Sequence, residues 1–193
     1  MAMTVTEEIA RIAGCVEDPE LPNLTIGDLG ILRGVRVDEN GHVEVDLTPT
    51  YSGCPAVEMI ERDVFSALTD AGWTDVSVRR VLAPAWTTDW ITAEGRRKLA
   101  EVGIAPPGRA CQAAGAGRAA MAVPSLAEAG PVRGQASPAV GAGPVRGQGV
   151  AFVRCPRCGS RDTELLSRFG STACKALRRC RSCLEPFDHF KPL

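Results

Sequence analysis

The segment "ILRGVRVDENGHVEVDLTPTYSGCPAVEMI", residues Ile31–Ile60, predicts two strands followed by a helix. Apolar and polar residues alternate in ILRGVRV and in HVEVDLT, and the DENG between them carries the hairpin signal Asn40-Gly41. Pro55 suits the first position of a helix. The buried face of that helix would consist of Val57, Ile60, Val64 and Leu68.

The flanking segments extend this unit to a small domain. Thr4 and Glu7 fit a capping box before an apolar helical pattern, and "DVSVRRVL" predicts a third strand. A last helix is expected over 93–102. The order α-β-β-α-β-α predicts an α/β (α+β) domain over residues 1–104, with its helices on one face of a short mixed sheet.

A change of composition marks the end of this domain. Ala, Gly and Pro supply 28 of the 45 residues at 105–149, and AGPVRGQ occurs at both 129–135 and 142–148. So few large apolar groups cannot offset the entropy lost on ordering. We therefore predict a flexible linker over 105–150, in which Cys111 has no function.

Four cysteines predict a metal site in the C-terminal residues 151–193. Two C-x2-C pairs, separated by 21 residues, can direct four thiolates at one ion: Cys155, Cys158, Cys180 and Cys183. Zinc in a structural β zinc ribbon is the first expectation, and an iron–sulfur cluster is the alternative. Cys174 is a possible extra thiol. Four of the five phenylalanines would form a small core beside the metal: Phe152, Phe169, Phe187 and Phe190.

Cys54 raises a separate question because it lies immediately before the predicted second helix. A helix N-terminus lowers the pKa of a thiol, which favours a nucleophile or a metal ligand. A buried, inert thiol is equally compatible with residue type, and a cysteine hydrolase would need a histidine base, of which the chain has two candidates. The acidic residues Glu17, Asp18, Glu20 and Asp28 suit turns and caps, or acid–base and metal-binding roles.

Composition bounds the remaining possibilities. The N-terminus has no secretory signal and no apolar run would span a membrane, so we expect a cytoplasmic protein whose eight cysteines stay reduced. The net charge of −1 combines −9 in residues 1–104, +3 in 105–150 and +5 in 151–193. The sequence has no dinucleotide-binding motif, and no ExxH pair of the kind that holds a di-iron centre lies on a predicted helix.

Several longer motifs resemble a known family. These are "EDPELPNLTIGDLGILRGV", "DLTPTYSGCPAVEMI", "LAPAWTTDWITAEGRRKLAEVGIAPP" and "CPRCGSRDTELLSRFGSTACKALRRCRSCLEPFDHFK". Over residues 1–107 and 152–191 the chain resembles the PaaD family associated with bacterial phenylacetyl-CoA epoxidase. Its N-terminal part is also similar to the wider SufT/Mip-type iron–sulfur assembly domain.

The resemblance implies an accessory or maturation role in aerobic phenylacetate catabolism, without catalytic activity of the chain's own. The di-iron oxygenase and the Fe–S flavoprotein reductase of that system are other subunits, and they are the implied partners. The resemblance also implies that Cys54 handles iron or an Fe–S cluster transiently, with Asp28, Thr48 and Thr50 as neighbours. The alternative is a zinc-ribbon module that binds nucleic acid or protein without an Fe–S role. Of these partners nucleic acid is the less favoured, and we expect no membrane partner.

Overall fold

The computed structural model describes residues 3–108 and 153–192, which belong to one compact unit. Within these ranges it confirms the predicted mixed α and β class with a C-terminal β ribbon. The helices are α1 (Val5–Gly14), α2 (Val57–Asp70) and α3 (Ala93–Glu101). The strands are β1 (Leu32–Val37), β2 (Val43–Leu47), β3 (Val76–Arg80), β4 (Thr163–Ser167), β5 (Lys175–Cys180) and β6 (Pro186–Phe190).

The first sheet has the order β1-β2-β3 and is mixed, as predicted. β1 and β2 form the antiparallel hairpin, in which Gly41 adopts a φ of 86°. β3 runs parallel to β2, with α2 as the crossover. The inward side chains of β2 are fully buried: Val43, Val45 and Leu47.

The first two helices cover the core face of this sheet. The predicted capping box is present, because Glu7 N–H donates to Thr4 Oγ1 at 3.2 Å and Thr4 N–H donates to Glu7 Oε2 at 2.7 Å. The predicted apolar face of α2 is buried in full. The helix begins two residues later than expected, at Val57, because Cys54–Ala56 form a turn closed by the Val57 N–H donating to Cys54 O.

α3 lies directly against the loop that precedes β1. A Cβ at Gly95 would lie 2.6 Å from the carbonyl oxygen of Asp28, so the glycine permits the close approach. Lys98 Nζ bonds Asp28 Oδ2 at 2.7 Å and Thr92 N–H donates to Asp28 O at 2.9 Å. The residues Thr88–Trp90 before α3 form one turn of 3₁₀ helix.

The second sheet, β4-β5-β6, is an antiparallel ribbon joined to the first domain through its last strand. Ala105 N–H donates to Asp188 O at 2.8 Å, and Phe190 N–H donates to Ala105 O at 3.0 Å. Phe190 is fully buried in the main core, with its ring 5.9 Å from that of Trp86. The ribbon is thus fastened to the domain by backbone pairing and by a shared core.

The phenylalanines of the ribbon and the first residues of the predicted linker lie elsewhere than the sequence predicted. The expected cluster of four phenylalanines is wrong: Phe187 packs beside the ribbon cysteines, Phe190 enters the main core and Phe169 is 68% exposed. Phe152 lies outside the described residues, as do Cys111 and most of the predicted linker. The first linker residues, 105–108, are described, and Ala105 among them is buried.

Candidate functional site

The four ribbon cysteines converge as their spacing predicts. Cys155 Sγ lies 3.7 Å from Cys183 Sγ, and Cys158 Sγ lies 3.5 Å from Cys180 Sγ. All four sulfurs fall within 4.8 Å of one another. A tetrahedral ion with metal–sulfur bonds of about 2.3 Å separates its ligands by about 3.8 Å. The donor set therefore fits one four-coordinate metal ion.

The two turns that carry these thiols are shaped for metal binding. Gly159, at a φ of 73°, ends the first turn, and its N–H donates to Cys155 O at 2.9 Å. In the second turn Cys183 N–H lies 3.5 Å from Cys180 Sγ. This N–H, with that of Ser182, lowers the pKa of Cys180 to about 6 and so favours the thiolate. A four-iron cluster binds one thiolate per iron and would hold the sulfurs farther apart.

Cys54 occupies a turn three residues before α2 and is partly buried. Burial raises the pKa of Cys54, the N–H of Ala56 opposes this shift, and the charges of Glu20, Asp18 and Cys174 add to it. The expectation that a helix N-terminus lowers this pKa is therefore wrong. Burial disfavours the thiolate more than the N–H of Ala56 favours it, and the charges of the two carboxylates and of Cys174 disfavour it further.

Two carboxylates accompany Cys54. Asp18 is 8% exposed and accepts the N–H of Glu20 at 2.8 Å, which confirms its predicted place in a turn. Burial raises the pKa of Asp18. The charges of Asp18 and Glu20 both help to raise the pKa of Cys54, after the larger effect of burial.

The structure also buries Cys174 in the main core, a placement that the sequence did not reveal. Cys174 is 4% exposed and belongs to the same buried cluster against which Cys54 packs. Its Sγ bonds Thr172 Oγ1 at 3.0 Å, outside the group of four metal-facing sulfurs. The two thiols are 120 positions apart, so no spacing rule could have paired them.

The other predicted neighbours of Cys54 lie in two separate places. Asp28 is engaged by Lys98 and by Thr25 N–H, and these bonds outweigh the effect of burial and lower the pKa of Asp28. Thr48 and Thr50 line a pocket of about 210 Å³, whose wall includes Trp86. Asp28 therefore fastens α3, while the threonines face a pocket next to the Cys54 loop.

A histidine base for Cys54 is not provided by the described residues. His42 Nδ1 lies 2.8 Å from Asp75 Oδ1 and its Nε2 lies 2.9 Å from Ser77 Oγ. His189 is buried in the ribbon, where the charge of Arg178 acts on it. This arrangement does not favour nucleophilic hydrolysis at Cys54. None of the helices in the described ranges has the length and apolar character needed to cross a bilayer.

Comparison with known proteins links both halves of the chain to described families. Residues 142–191 match the family model "PaaD zinc beta ribbon domain", and residues 7–79 match "Iron-sulfur cluster assembly protein". A candidate 1,2-phenylacetyl-CoA epoxidase subunit from Escherichia coli (strain K12) is 44% identical over 185 residues, covering 95% of this chain and 91% of the relative.

The N-terminal half alone has further relatives. An Fe-S protein maturation auxiliary factor from Porphyromonas gingivalis (strain ATCC BAA-308 / W83) is 33% identical over 94 residues, covering 48% of this chain and 89% of the relative. A crystal structure of a domain of unknown function, DUF59, from Bacillus anthracis is 28% identical, with a TM-score of 0.46, and covers 49% of this chain and 90% of that chain.

Proposed function

The chain belongs to the PaaD family, and from this premise we propose that it is an accessory subunit that assists iron or Fe–S cofactor assembly in a phenylacetyl-CoA epoxidase. The observation that carries the proposal is the environment of Cys54. The Cys54 thiol is partly buried, feels the charges of two carboxylates and of a second thiol, and has no histidine base among the described residues, which suits metal transfer better than hydrolysis. It lies in the part of the chain that matches the assembly-protein model.

The ribbon metal has a structural role in this proposal. Its four thiolates fill a tetrahedron and leave no open position for a substrate. We propose zinc as the resident ion, held by Cys155, Cys158, Cys180 and Cys183. Metal and acid-labile sulfide analysis should find one zinc and no sulfide in the ribbon, with the zinc lost in Cys155→Ser and kept in Cys54→Ser. Sulfide that disappears with Cys155→Ser would contradict the zinc assignment.

The partners follow from the chemistry of the epoxidase named for the E. coli relative. The recipient would be the di-iron oxygenase component, the Fe–S flavoprotein reductase, or both. Nucleic acid is less well supported, because Arg179 and Arg181 in the basic ribbon both bond Glu164 and Arg178 is partly buried. Phosphate binding would need these cations to be free.

The test compares partner enzyme matured with different variants of this chain. Cys54→Ser should leave zinc content and folding unchanged while the iron occupancy and activity of the partner fall severalfold. Cys15→Ser is the matched control, since the Cys15 thiol is exposed at the end of α1. Partner enzyme that is fully loaded with iron in cells carrying Cys54→Ser would refute the role of Cys54.

A further inference from the structure

The outer edge of β3 and the neighbouring face of α2 form a surface groove of about 720 Å³. β3 pairs with β2 on one side, and no strand of the described residues pairs with its other side. The groove is lined by Val78 of the strand and by four residues of the helix: Glu58, Glu61, Arg62 and Phe65. None of these residues takes part in the proposed function, which therefore leaves the groove unexplained.

The backbone of β3 offers unpaired hydrogen-bonding groups along this groove. Asp75 O and Val81 N–H, immediately before and after the strand, both bond β2. Because successive residues of a strand direct their backbone groups to opposite sides, the groups of Val76, Val78 and Arg80 point away from β2. An edge strand of this kind is a template for pairing with another chain.

The charge on this edge is already neutralised within the chain. A free arginine or lysine on an edge strand opposes pairing with a second strand. Arg80, however, donates through Nε and Nη2 to the two carboxylate oxygens of Glu61, each at 2.9 Å. The outward edge of β3 is therefore not protected by an unpaired charge of Arg80.

Phe65 supplies the apolar part of the groove. Its side chain is 46% exposed, and it lies beside the unpaired edge of β3. Exposed aromatic rings are typical of surfaces that become buried on association. Met59, on the same helix, is 43% exposed but does not line the groove. The two side chains are thus a matched pair for testing the groove.

The charged groups of the groove are complementary to one another. Arg62 donates to the carbonyl oxygen of Glu58 at 3.3 Å, and neither side chain forms an ion pair within the described ranges. An acidic partner would meet Glu58, and a basic partner would meet Arg62. A two-fold arrangement brings the same surface against itself with its direction reversed, so that the cation of each copy can face the carboxylate of the other. The charges therefore favour a second copy of this chain as the occupant.

We propose that two copies of this chain associate through this groove, with β3 pairing antiparallel to β3 of the second copy and the two α2 helices side by side. The three-stranded sheets then join into one six-stranded sheet about a two-fold axis perpendicular to it. With Val78 on the axis, Ser77 lies opposite Arg79 of the second copy, so like charges do not face each other directly. The Phe65 rings of both copies cover the junction.

The test measures the mass of the full-length chain by sedimentation equilibrium over an about hundredfold range of concentration, under reducing conditions that exclude disulfide-linked dimers. The wild-type mass should rise from 20.4 kDa to twice that value. Phe65→Asp should raise the dissociation constant at least about tenfold, because it places a charge in the apolar centre of the interface. Met59→Asp is the matched control and should stay within about twofold of the wild type.

A charge exchange tests whether the surface meets itself. Arg62→Glu should weaken the dimer at least about tenfold, because only carboxylates then face each other across the axis. Adding Glu58→Arg to that variant should restore the wild-type dissociation constant, since the exchanged charges are again complementary. Amide hydrogen exchange of the β3 residues should slow as the concentration rises and the dimer forms.

The outcomes are independent of the proposed function, because the interface uses neither Cys54 nor the ribbon cysteines. A mass of 20.4 kDa at every concentration would overturn the proposal, as would a dimer that Phe65→Asp leaves intact. Both results would leave the maturation role standing. Metal content and tryptophan fluorescence confirm that each variant is folded, and if Phe65→Asp fails that check the same criteria apply to Arg62→Glu.

Discussion

Single residues in this chain have properties that local sequence does not determine. Cys54 was located correctly before α2, but its pKa follows from burial and from carboxylates on a turn some 35 residues earlier. The environments of the two histidines likewise depend on residues that are distant in the sequence. His42 is hydrogen-bonded to a carboxylate, whereas His189 is 6% exposed and its Nε2 has no hydrogen-bond partner in the described structure.

We predict that the pKa values of the two histidines lie on opposite sides of 6.5, the ordinary value for a histidine. The bond to Asp75 raises the pKa of His42 above 6.5, so its contribution to stability is full below 6.5 and lost as pH rises through the raised pKa. Burial, together with the charge of Arg178, lowers the pKa of His189 to about 4. The contribution of neutral His189 to stability is therefore full above pH 6.5 and is lost as the pH falls toward 4. NMR titration of the ring protons, assigned with His42→Gln and His189→Gln, measures both. A pKa near 6.5 for His189 would contradict the buried position.

Secondary-structure elements were the most predictable level of this molecule. The capping box of α1, the apolar face of α2 and the β1–β2 hairpin depend on residues within a few positions of one another, and all three are confirmed. The start of α2 was misplaced because Pro55 is also compatible with the turn that precedes a helix. The 3₁₀ turn at Thr88–Trp90 was missed because three residues carry too little periodicity to be recognised.

Gly95 shows where tertiary contact overrides helix propensity. Alanine normally stabilises a helix interior by about 1 kcal/mol relative to glycine. In α3, however, the added Cβ would lie 2.6 Å from Asp28 O, so we predict that Gly95→Ala destabilises the protein by about 1–3 kcal/mol. Urea unfolding measures the change, and Ser66→Ala on the exposed face of α2 is the control. A stabilised Gly95→Ala variant would show that α3 does not lie this close to Asp28.

The arrangement of the whole molecule was the least predictable level. The metal spacing identified the ribbon, but nothing in the sequence indicated that Ala105 pairs with β6 or that Cys174 enters the main core. Such contacts join residues that are more than 80 positions apart, and each depends on the shape of both surfaces. The four ribbon cysteines and Cys54 could therefore be singled out in the sequence, whereas the burial of Cys174 in the main core could not.

Two phenylalanines of the same ribbon test whether ribbon and domain unfold together. Phe190 is fully buried against Trp86, whereas Phe169 is 68% exposed with Lys191 over its ring. Phe190→Ala should lower the free energy of unfolding by about 3–5 kcal/mol, and Phe169→Ala by less than about 1 kcal/mol. All three tryptophans lie in the N-terminal domain, so their fluorescence during urea unfolding reports that domain, including the face of Trp86 that Phe190 covers.

The urea concentration at the fluorescence transition then shows whether ribbon and domain unfold together or independently. If the ribbon contributes Phe190 to the domain core, Phe190→Ala shifts the tryptophan transition to lower urea although the substituted residue lies in the ribbon. A ribbon that folded independently would lose stability without moving that transition. Removal of the ribbon metal by a chelator should act in the same direction as Phe190→Ala, because Phe190 keeps its place only while the ribbon is folded.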